Sequence, residues 1–501
     1  MGSFGRTATS PPAAAPADPG AALQRRQLLL IWAAGLACAV ILISGNVDVT
    51  PGRGLVFNEM LVRLLHGRFD ISPATIGDEA IFHQGRTYAY FGIFCALLRL
   101  PLLLTGQIGL DVTKASMVAA AALSLGARLM AMNLALDRAR ALSRPLRLIL
   151  LAAVAFGGES LQYLRPGIFQ EVCSWGAALA AVFVLLAVRR VLGADREAAR
   201  LYTGMALLAG LALLCRVSFG FGLYAALGLM LCAEAWRGRA RLAAFRTLAP
   251  AALVLVLFAA AAMGVNAARW GRPLEFVPLR EQLIQIQKQP ERTWRLDRYG
   301  ALSLQRLPLA FQYYFAPVWV LHDTKGEPLF QASEARLFDY IELPPSSPIL
   351  SDPVICILAA LGAWALTRRR ERIPRPALAG GAAVGLALPG AVMLLAISLA
   401  FRYRMDFYPA LDFTACLGAA ALRPDAARQP TLRFLALGAL GATVSLAGLM
   451  AYSFTPLDSA LDLDMRKGWT QPMIDVTHGR NPYIGHLLPD GRRIGVPPAL
   501  R

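Results

Sequence analysis

Asp48 is the residue of this sequence whose type and position most favour chemistry. It follows an apolar run at residues 28–43 that is long enough, with its flanks, to cross a bilayer. Its carboxylate would therefore lie about one helical turn outside the hydrocarbon, where it can meet a substrate carried by a lipid. The surrounding stretch, residues 44–99, is too polar to span a membrane and too rich in aromatic and apolar residues to be a free loop. We predict that it forms helices lying along the membrane surface.

A second carboxylate and three arginines are candidates on the same side of the membrane. Glu171 begins the predicted fourth helix, where it can orient a substrate or bind a cation. A glutamate that is favoured there by the helix dipole is the alternative. Arg402 and Arg404 flank Tyr403 in a short turn between apolar runs, and Arg53 follows a Pro-Gly pair. Arginine suits bidentate contact with phosphate, although snorkelling to lipid headgroups explains these arginines equally well.

Other polar residues in the predicted external segments are weaker candidates. Glu79, Tyr88 and Glu159 lie in these segments and are further candidate site residues. His66 and His83 have no partners at the spacing of metal ligands, so we interpret them as surface residues. The sequence leaves open whether a divalent cation is required.

Composition places the chain among polytopic membrane proteins. Of its 501 residues, 56% are hydrophobic and 16% are charged, which is more apolar surface than a soluble domain could bury. The net charge of +18 would suggest a nucleic-acid partner in a soluble protein. Here the arginines stand in short blocks between apolar runs, the pattern that orients membrane helices, and no nucleic-acid partner is expected. The seven cysteines fall in or beside apolar runs without a CxxC pair and are interpreted as small buried hydrophobic residues.

The arginine blocks predict a topology with a cytoplasmic N-terminus and an external C-terminus. All blocks fall on the cytoplasmic side only if residues 90–109 do not cross the membrane. That run is interrupted by Arg99 and Pro101 and fits a surface-lying or re-entrant element. About eleven transmembrane helices result. The predicted spans are residues 28–44, 115–136, 147–158, 172–190, 201–215, 218–236, 247–268, 350–367, 377–400, 406–422 and 432–453.

This topology predicts one membrane domain between two tails. Residues 1–27 are expected to be a disordered cytoplasmic tail, residues 28–453 the transmembrane domain, and residues 454–501 an external tail. The external loops are predicted at residues 44–114, 157–171 and 269–351. A loop as long as the last of these is usually functional.

The layout of helices and loops resembles the GT-C superfamily of membrane glycosyltransferases, which includes the protein-O-mannosyltransferases and the lipid A aminoarabinose transferase. Several local strings, taken in order, also resemble uncharacterised bacterial members of that superfamily. The strings are LLHGRFDI (64–71), GRTYAYFGIFCALLRLP (85–101), IFQEVCSWG (168–176), NAARWGRPLEF (266–276) and RYRMDFYPAL (402–411). Long loops after the first and seventh helices also match the long first and fourth external loops of that superfamily. The chain departs from the pattern in having Cys95 where Pro is expected and no Asp-Glu pair directly after the first helix.

The resemblance implies an all-α, GT-C-like membrane protein with membrane-surface helices in its first and fourth external loops. It implies a glycosyltransferase that moves a hexosyl or pentosyl group from a polyprenyl-phosphate donor to a glycan, lipid or protein acceptor at the outer face of a bacterial inner membrane. Such transfer needs a base, and positive groups or a metal to hold the leaving phosphate. The expected assignments are Asp48 as base, Glu171 as second catalytic carboxylate, and Arg402, Arg404 and Arg53 as ligands of the donor phosphate.

Two other functions fit the sequence. An O-antigen ligase or polymerase also has many helices and a long external loop, but would place Arg and His residues of that loop at the centre of the reaction. A transporter or flippase is the non-enzymatic alternative. Against it we set the lack of any charged residue deep inside the later helices and the lack of an inverted repeat.

Overall fold

The computed structural model describes most of the chain between residues 19 and 454. The described ranges are 19–46, 52–139, 142–193, 198–237, 241–289, 291–316, 321, 323–326, 329–342 and 347–454. Asp48 and the outer parts of both predicted tails, residues 1–18 and 455–501, lie outside these ranges. The first helix, α1 (Pro19–Gly45), begins before the predicted start at residue 28.

The segment after α1 contains a hairpin among short helices. Its elements are α2 (Val56–Leu65), α3 (Pro73–Ile76), β1 (Ile81–His83), β2 (Arg86–Tyr88), α4 (Phe94–Leu97) and α5 (Leu100–Leu104). The strands pair antiparallel, with Ile81 opposite Tyr88. Gln84 and Gly85 both have positive φ, 46° and 74°, as a type I′ hairpin turn requires. The prediction of helices alone for this stretch missed the hairpin. The interrupted run at residues 90–109 contains the two short helices α4 and α5.

Long apolar helices make up most of the remaining chain. The first group is α6 (Thr113–Leu136), α7 (Arg144–Ala155), α8 (Ile168–Leu192), α9 (Ala198–Cys215), α10 (Val217–Arg237) and α11 (Arg241–Trp270). The last group is α17 (Pro353–Arg368), α18 (Pro376–Met393), α19 (Tyr408–Ala421) and α20 (Gln429–Phe454). Among the described residues, seven helices are long and apolar enough to cross a membrane: α1, α6, α8, α9, α10, α11 and α18. The prediction of a largely helical, polytopic membrane protein is therefore confirmed. Seven of the eleven predicted spans correspond to helices that are long and apolar enough to cross a membrane.

A late loop of short elements connects the two groups of long helices. It contains α12 (Leu283–Lys288), α13 (Glu291–Tyr299), α14 (Leu307–Phe315), α15 (Gln331–Leu337), β3 (Tyr340–Ile341) and α16 (Pro348–Ser351). β3 pairs in parallel with β4 (Ser398–Leu399), which follows α18. This pairing fixes the late loop to the end of α18.

The helices pack around α8, which contacts α6, α9 and α19. Small residues allow the closest crossings. A Cβ at Gly362 of α17 would lie 1.9 Å from the Thr414 carbonyl oxygen of α19, so the two main chains are in direct contact there. Such crossings at small residues are typical of helix pairs in membranes, where dispersion contact replaces the hydrophobic effect.

One end of this helical layer carries both the segment after α1 and the late loop, and we call it the loop face. The start of α8, the end of α11 and the break between α9 and α10 meet there around one cavity. The break falls at Arg216, whose amide still donates to the Ala212 carbonyl at 2.7 Å before α10 begins at Val217. The fold thus brings several helix ends to one site.

Candidate functional site

A cavity of about 260 Å³ opens at the loop face. Its walls come from residues 90–93, the first turn of α8, the α9–α10 junction, the last turns of α11 and the turn around Tyr403. Most of the lining is apolar or aromatic. Among the described residues, the charged side chains that line it are three arginines, Arg216, Arg269 and Arg402. The cavity is therefore a positively charged chamber with apolar walls.

Arg216 is held by a buried carboxylate. Its Nη2 donates to Asp406 Oδ2 at 2.7 Å, and the Ser218 hydroxyl donates to Asp406 Oδ1 at 2.5 Å. Asp406 is fully buried. The guanidinium also lies over the ring of Tyr403, 5.2 Å from its centroid. Because one ion pair and one ring fix its plane, Arg216 presents a preorganised edge to the cavity.

Arg402 lies on a 3₁₀ helix, Phe401–Phe407, between β4 and α19. Its guanidinium stacks 4.7 Å from the ring centroid of Phe169 and lies 3.6 Å from Glu342 Oε2. Glu342 is also paired with Arg165 and accepts a hydrogen bond from the Phe401 amide at 2.9 Å. The carboxylate is thus shared, and it only partly compensates the charge of Arg402.

Arg269 differs from the other two arginines because none of the carboxylates that the structure describes is paired with it. It is in the last turn of α11 and 4% exposed, and its Nε has no hydrogen-bond partner. Among the described residues, its guanidinium makes a cation–π contact with the ring of Trp270, with the guanidinium carbon 5.7 Å from the ring centroid. A buried cation without a counterion is unfavourable. An anion in the cavity would supply the missing partner.

Tyr90 connects the cavity to the meeting point of the two loops. Its hydroxyl donates to Glu79 Oε2 at 3.1 Å, and the same carboxylate accepts from Gln282 and Gln285 of the late loop at 3.0 and 3.2 Å. Burial, together with the Glu79 carboxylate, raises the pKa of Tyr90 well above its usual range. Tyr90 therefore stays a neutral hydrogen-bonding group. Glu79 joins the segment between α1 and α6, which we call the first loop, to the late loop at the rim of the cavity.

Of the sequence candidates, Arg402 lines the cavity and Arg404 does not. Arg404 is 1% exposed, and its Nη2 donates to the Ser351 and Tyr408 hydroxyls at 2.8 and 2.7 Å. Asp352 lies 3.9 Å away and accepts from the Tyr408 hydroxyl. Arg404 is thus part of a buried network that holds α16, α17 and α19 together.

Glu171 lies in a separate buried pair. Its Oε2 accepts from Arg99 Nη2 at 2.7 Å, and Arg99 Nε donates to Asn58 Oδ1 at 3.2 Å. Asn58 in turn donates to the carbonyls of Ile108 and Leu110. Both charged side chains are almost completely buried. This position joins the segment after α1 to the first turn of α8 and does not line the cavity.

The remaining candidates are dispersed. Arg53 is half-buried just before α2, and Tyr88 on β2 packs with Ile81 and Trp270 beside the cavity. Glu159 accepts from Ser124 at 3.0 Å and is paired with Arg128.

Arg128, on α6, is also paired with Asp412 of α19 at 2.8 Å. No charged residue was expected deep inside the later helices, and Asp412 within α19 shows that this expectation was wrong. That observation therefore no longer counts against a transporter.

Sequence reasoning missed Arg216, Arg269 and Asp406 as site residues. Two signals were present: Arg216 stands between two apolar runs, and Arg269 ends a third. Asp406 gave no signal apart from its place in the RYRMDFY string. For metals, the described residues contain no group of three or more His, Cys, Asp or Glu side chains placed to hold an ion.

No family model matches the chain, and no match is found among curated proteins. Among solved structures, the apo crystal structure of the Archaeoglobus fulgidus oligosaccharyltransferase is similar, with a TM-score of 0.52 and 13% sequence identity. The similarity covers 92% of this chain and 60% of the archaeal one. Archaeal oligosaccharyltransferase AglB from Archaeoglobus fulgidus, in complex with an inhibitory peptide and a dolichol-phosphate, has a TM-score of 0.49 and 15% identity over 90% of this chain and 59% of that one.

The chain therefore spans about three fifths of the length of the oligosaccharyltransferase whose structure it resembles. At this level of identity the likeness establishes the fold. The expected similarity is therefore confirmed for the overall fold, which the chain shares with this oligosaccharyltransferase.

Proposed function

We propose that the chain is a GT-C-type glycosyltransferase that takes a sugar from a polyprenyl-phosphate donor at the cavity of the loop face. The observation that carries the proposal is Arg269, a buried arginine for which the described part of the chain provides no counterion. It lies beside two further arginines in one cavity. A phosphate group supplies the compensating charge, and the apolar walls suit the first isoprene units of a lipid.

The proposed chemistry is displacement of the lipid phosphate from the anomeric carbon by an acceptor hydroxyl. As the bond to the phosphate oxygen breaks, negative charge grows on the phosphate, and the three arginines stabilise it. Arg216 and Arg402 are fixed by Asp406 and Glu342, so they need little reorganisation as the charge develops. Asp48 is retained as the proposed base for the acceptor proton. Glu171, given its ion pair with Arg99, is proposed to position the first loop.

The proposed setting follows from the arginine blocks. Eleven helices cross the membrane in this proposal: α1, α6 to α11, and α17 to α20. The loop face and its cavity are external, on the outer face of a bacterial inner membrane, and the N-terminus is cytoplasmic. The acceptor is a glycan, lipid or protein, and a divalent cation is compatible with the proposal but is not required by the described residues.

A ligase-like enzyme is less well supported by the same loop. Its reaction would need arginines of the late loop free for catalysis. Arg280 and Arg295 are paired with Asp297 and Glu291 within that loop. Arg292 is paired with Asp339 at 2.9 Å.

The test compares Arg269→Gln with Arg272→Gln in the full-length protein. Arg272 lies three residues further on, beyond the end of α11, is half-exposed and is paired with Glu275 and Glu281 outside the cavity. Binding of undecaprenyl phosphate to protein in nanodiscs should weaken roughly ten- to a hundredfold in Arg269→Gln. This is the loss of affinity expected when one hydrogen bond to a charged group is removed. Arg272→Gln should bind as the wild type does. Unchanged binding in Arg269→Gln would refute the phosphate assignment.

A further inference from the structure

Two cysteines far apart in sequence meet beside the cavity. Cys95 Sγ, on α4, lies 3.9 Å from Cys215 Sγ, on the last residue of α9. Both side chains are buried, and both thiols are free in the structure. The Cys215 sulfur also approaches the Val172 carbonyl of α8 at 3.5 Å. Two of the cysteines interpreted from the sequence as small buried hydrophobic residues are therefore in direct contact.

The main chains on either side of this pair already touch. A Cβ at Gly92 would lie 2.0 Å from the Leu214 carbonyl oxygen and 2.5 Å from that of Cys215. Only glycine permits this approach, which brings the start of α4 onto the end of α9. A disulfide needs its sulfurs about 2.05 Å apart, so closure from 3.9 Å requires a modest movement of elements that are already packed together.

A shared metal is a poorer explanation of the pair. In the part of the chain that the structure describes, no third His, Cys, Asp or Glu completes a ligand group with these sulfurs. The nearby Cys173 sulfur accepts from Arg216 Nη1 at 3.2 Å instead. Two thiols without a third ligand favour thiol–disulfide chemistry.

We propose that Cys95 and Cys215 form a reversible disulfide that ties the first loop to α9 and lowers lipid-phosphate binding in the adjacent cavity. Each thiol loses one proton and one electron, and the two sulfurs join. The oxidant is the disulfide of an envelope thiol–disulfide oxidoreductase or of a small molecule, and it is reduced to two thiols. Cys215 lines the cavity, which gives a small oxidant access. An external loop face would lie in an oxidising compartment.

The effect on binding rests on the proposed function and is transmitted through Arg216. Arg216 directly follows Cys215 and contacts Asp406 through Nη2. Pulling Cys215 toward α4 moves the backbone that carries this guanidinium. A displacement near one ångström at a preorganised charged group costs on the order of a hundredfold where geometry is critical. We expect undecaprenyl phosphate binding to fall at least about tenfold on oxidation and to recover with dithiothreitol.

The experiment treats full-length protein in nanodiscs with dipyridyl disulfide, blocks remaining thiols, and digests the protein without reduction. Mass spectrometry should find the peptides containing Cys95 and Cys215 linked in the wild type. The link should be absent from Cys95→Ala and Cys215→Ala. It should persist in Cys416→Ala, a matched buried cysteine in α19. Absence of the link in oxidised wild type, or a link from Cys173 to Cys215 instead, would overturn the proposal.

Binding is measured on the same samples. Reversible loss in the wild type, with no loss in oxidised Cys95→Ala, supports control of the cavity by the disulfide. A complete link with unchanged binding would overturn that control. The peptide link needs no substrate, so it is read independently of the proposed function. Reduced wild type that fails to bind undecaprenyl phosphate would instead count against the glycosyltransferase proposal.

Discussion

At the scale of single residues, Arg402 and Arg404 show how local geometry separates two similar side chains. They flank Tyr403 on a 3₁₀ helix, where each residue turns the chain by about 120°. Two residues therefore differ in direction by roughly 240°. Arg402 faces the cavity, while Arg404 is buried against Ser351 and Tyr408. The sequence places two arginines at a helix junction, but it does not show that their side chains point in different directions.

The first residue-scale prediction separates these two roles. Arg402→Ala should weaken undecaprenyl phosphate binding about tenfold or more and leave the thermal unfolding temperature nearly unchanged. Arg404→Ala leaves the buried Asp352 carboxylate without its cation, so it should cost about 3–5 kcal/mol of stability. Unfolding temperature and ligand affinity, measured on the same detergent-purified samples, give both values. If the Arg404→Ala protein had wild-type stability but bound the ligand weakly, Arg404 would instead be assigned to the phosphate site.

The second residue-scale prediction concerns the base. Asp48→Asn keeps the size of the side chain but removes its basicity, so sugar transfer should fall by roughly 10²–10⁴-fold while donor binding survives. Glu171→Gln is the comparison, because it weakens the ion pair with buried Arg99 and should lower stability more than turnover per folded molecule. The assay is transfer of a labelled sugar from a polyprenyl-phosphate donor in membranes. Normal turnover in both variants would end the mechanism proposed here.

At the scale of elements, the segment between α1 and α6 shows what sequence patterns do and do not determine. The apolar run broken by Arg99 and Pro101 was predicted to be a surface-lying or re-entrant element, and in the structure it contains the short helices α4 and α5. The hairpin at residues 81–88 was missed because each strand has three residues, too few to display alternation, and the Gln84-Gly85 turn was its main signal. Contacts between elements were not predictable. The Arg99–Glu171 pair joins residues 72 positions apart, and nothing in either local string requires it.

The element-scale prediction tests the contact between the first loop and α9. Gly92→Ala would place a Cβ against two backbone carbonyl oxygens, which cannot yield as a flexible side chain would, so α4 should lift from the end of α9. Gly109→Ala is the control, because nothing lies within 4 Å of its Cβ position. Hydrogen exchange should rise around α4 in Gly92→Ala only, and lipid-phosphate binding should weaken with it. Equal exchange in the two variants would show that the close contact does not hold the loop.

At the scale of the whole molecule, hydropathy and arginine placement predicted most of the long helices, because both reflect the membrane directly. The predicted spans at residues 201–215 and 218–236 agree with α9 and α10 within a few positions. The cavity was less predictable. Its arginines come from three separate parts of the chain, and its location depends on helix ends that meet only after α8, α9 and α11 have packed. Hydropathy predicts the position of each helix in the sequence, but it does not predict which helix ends lie next to one another at the loop face.

Topology is the prediction on which the external site depends. Gln289 directly follows α12, on the loop face. Arg370 lies between α17 and α18, at the end of α17 that is opposite to the loop face. The block Arg368, Arg369, Arg370 and Arg372 favours a cytoplasmic position for that turn, because basic residues next to membrane helices are retained inside. A reporter inserted after Gln289 should therefore report the outside, and one after Arg370 the cytoplasm. If the two reporters gave the reverse pattern, the cavity would open to the cytoplasm, the oxidising environment invoked for Cys95 and Cys215 would be lost, and the donor would have to be presented on the inner leaflet.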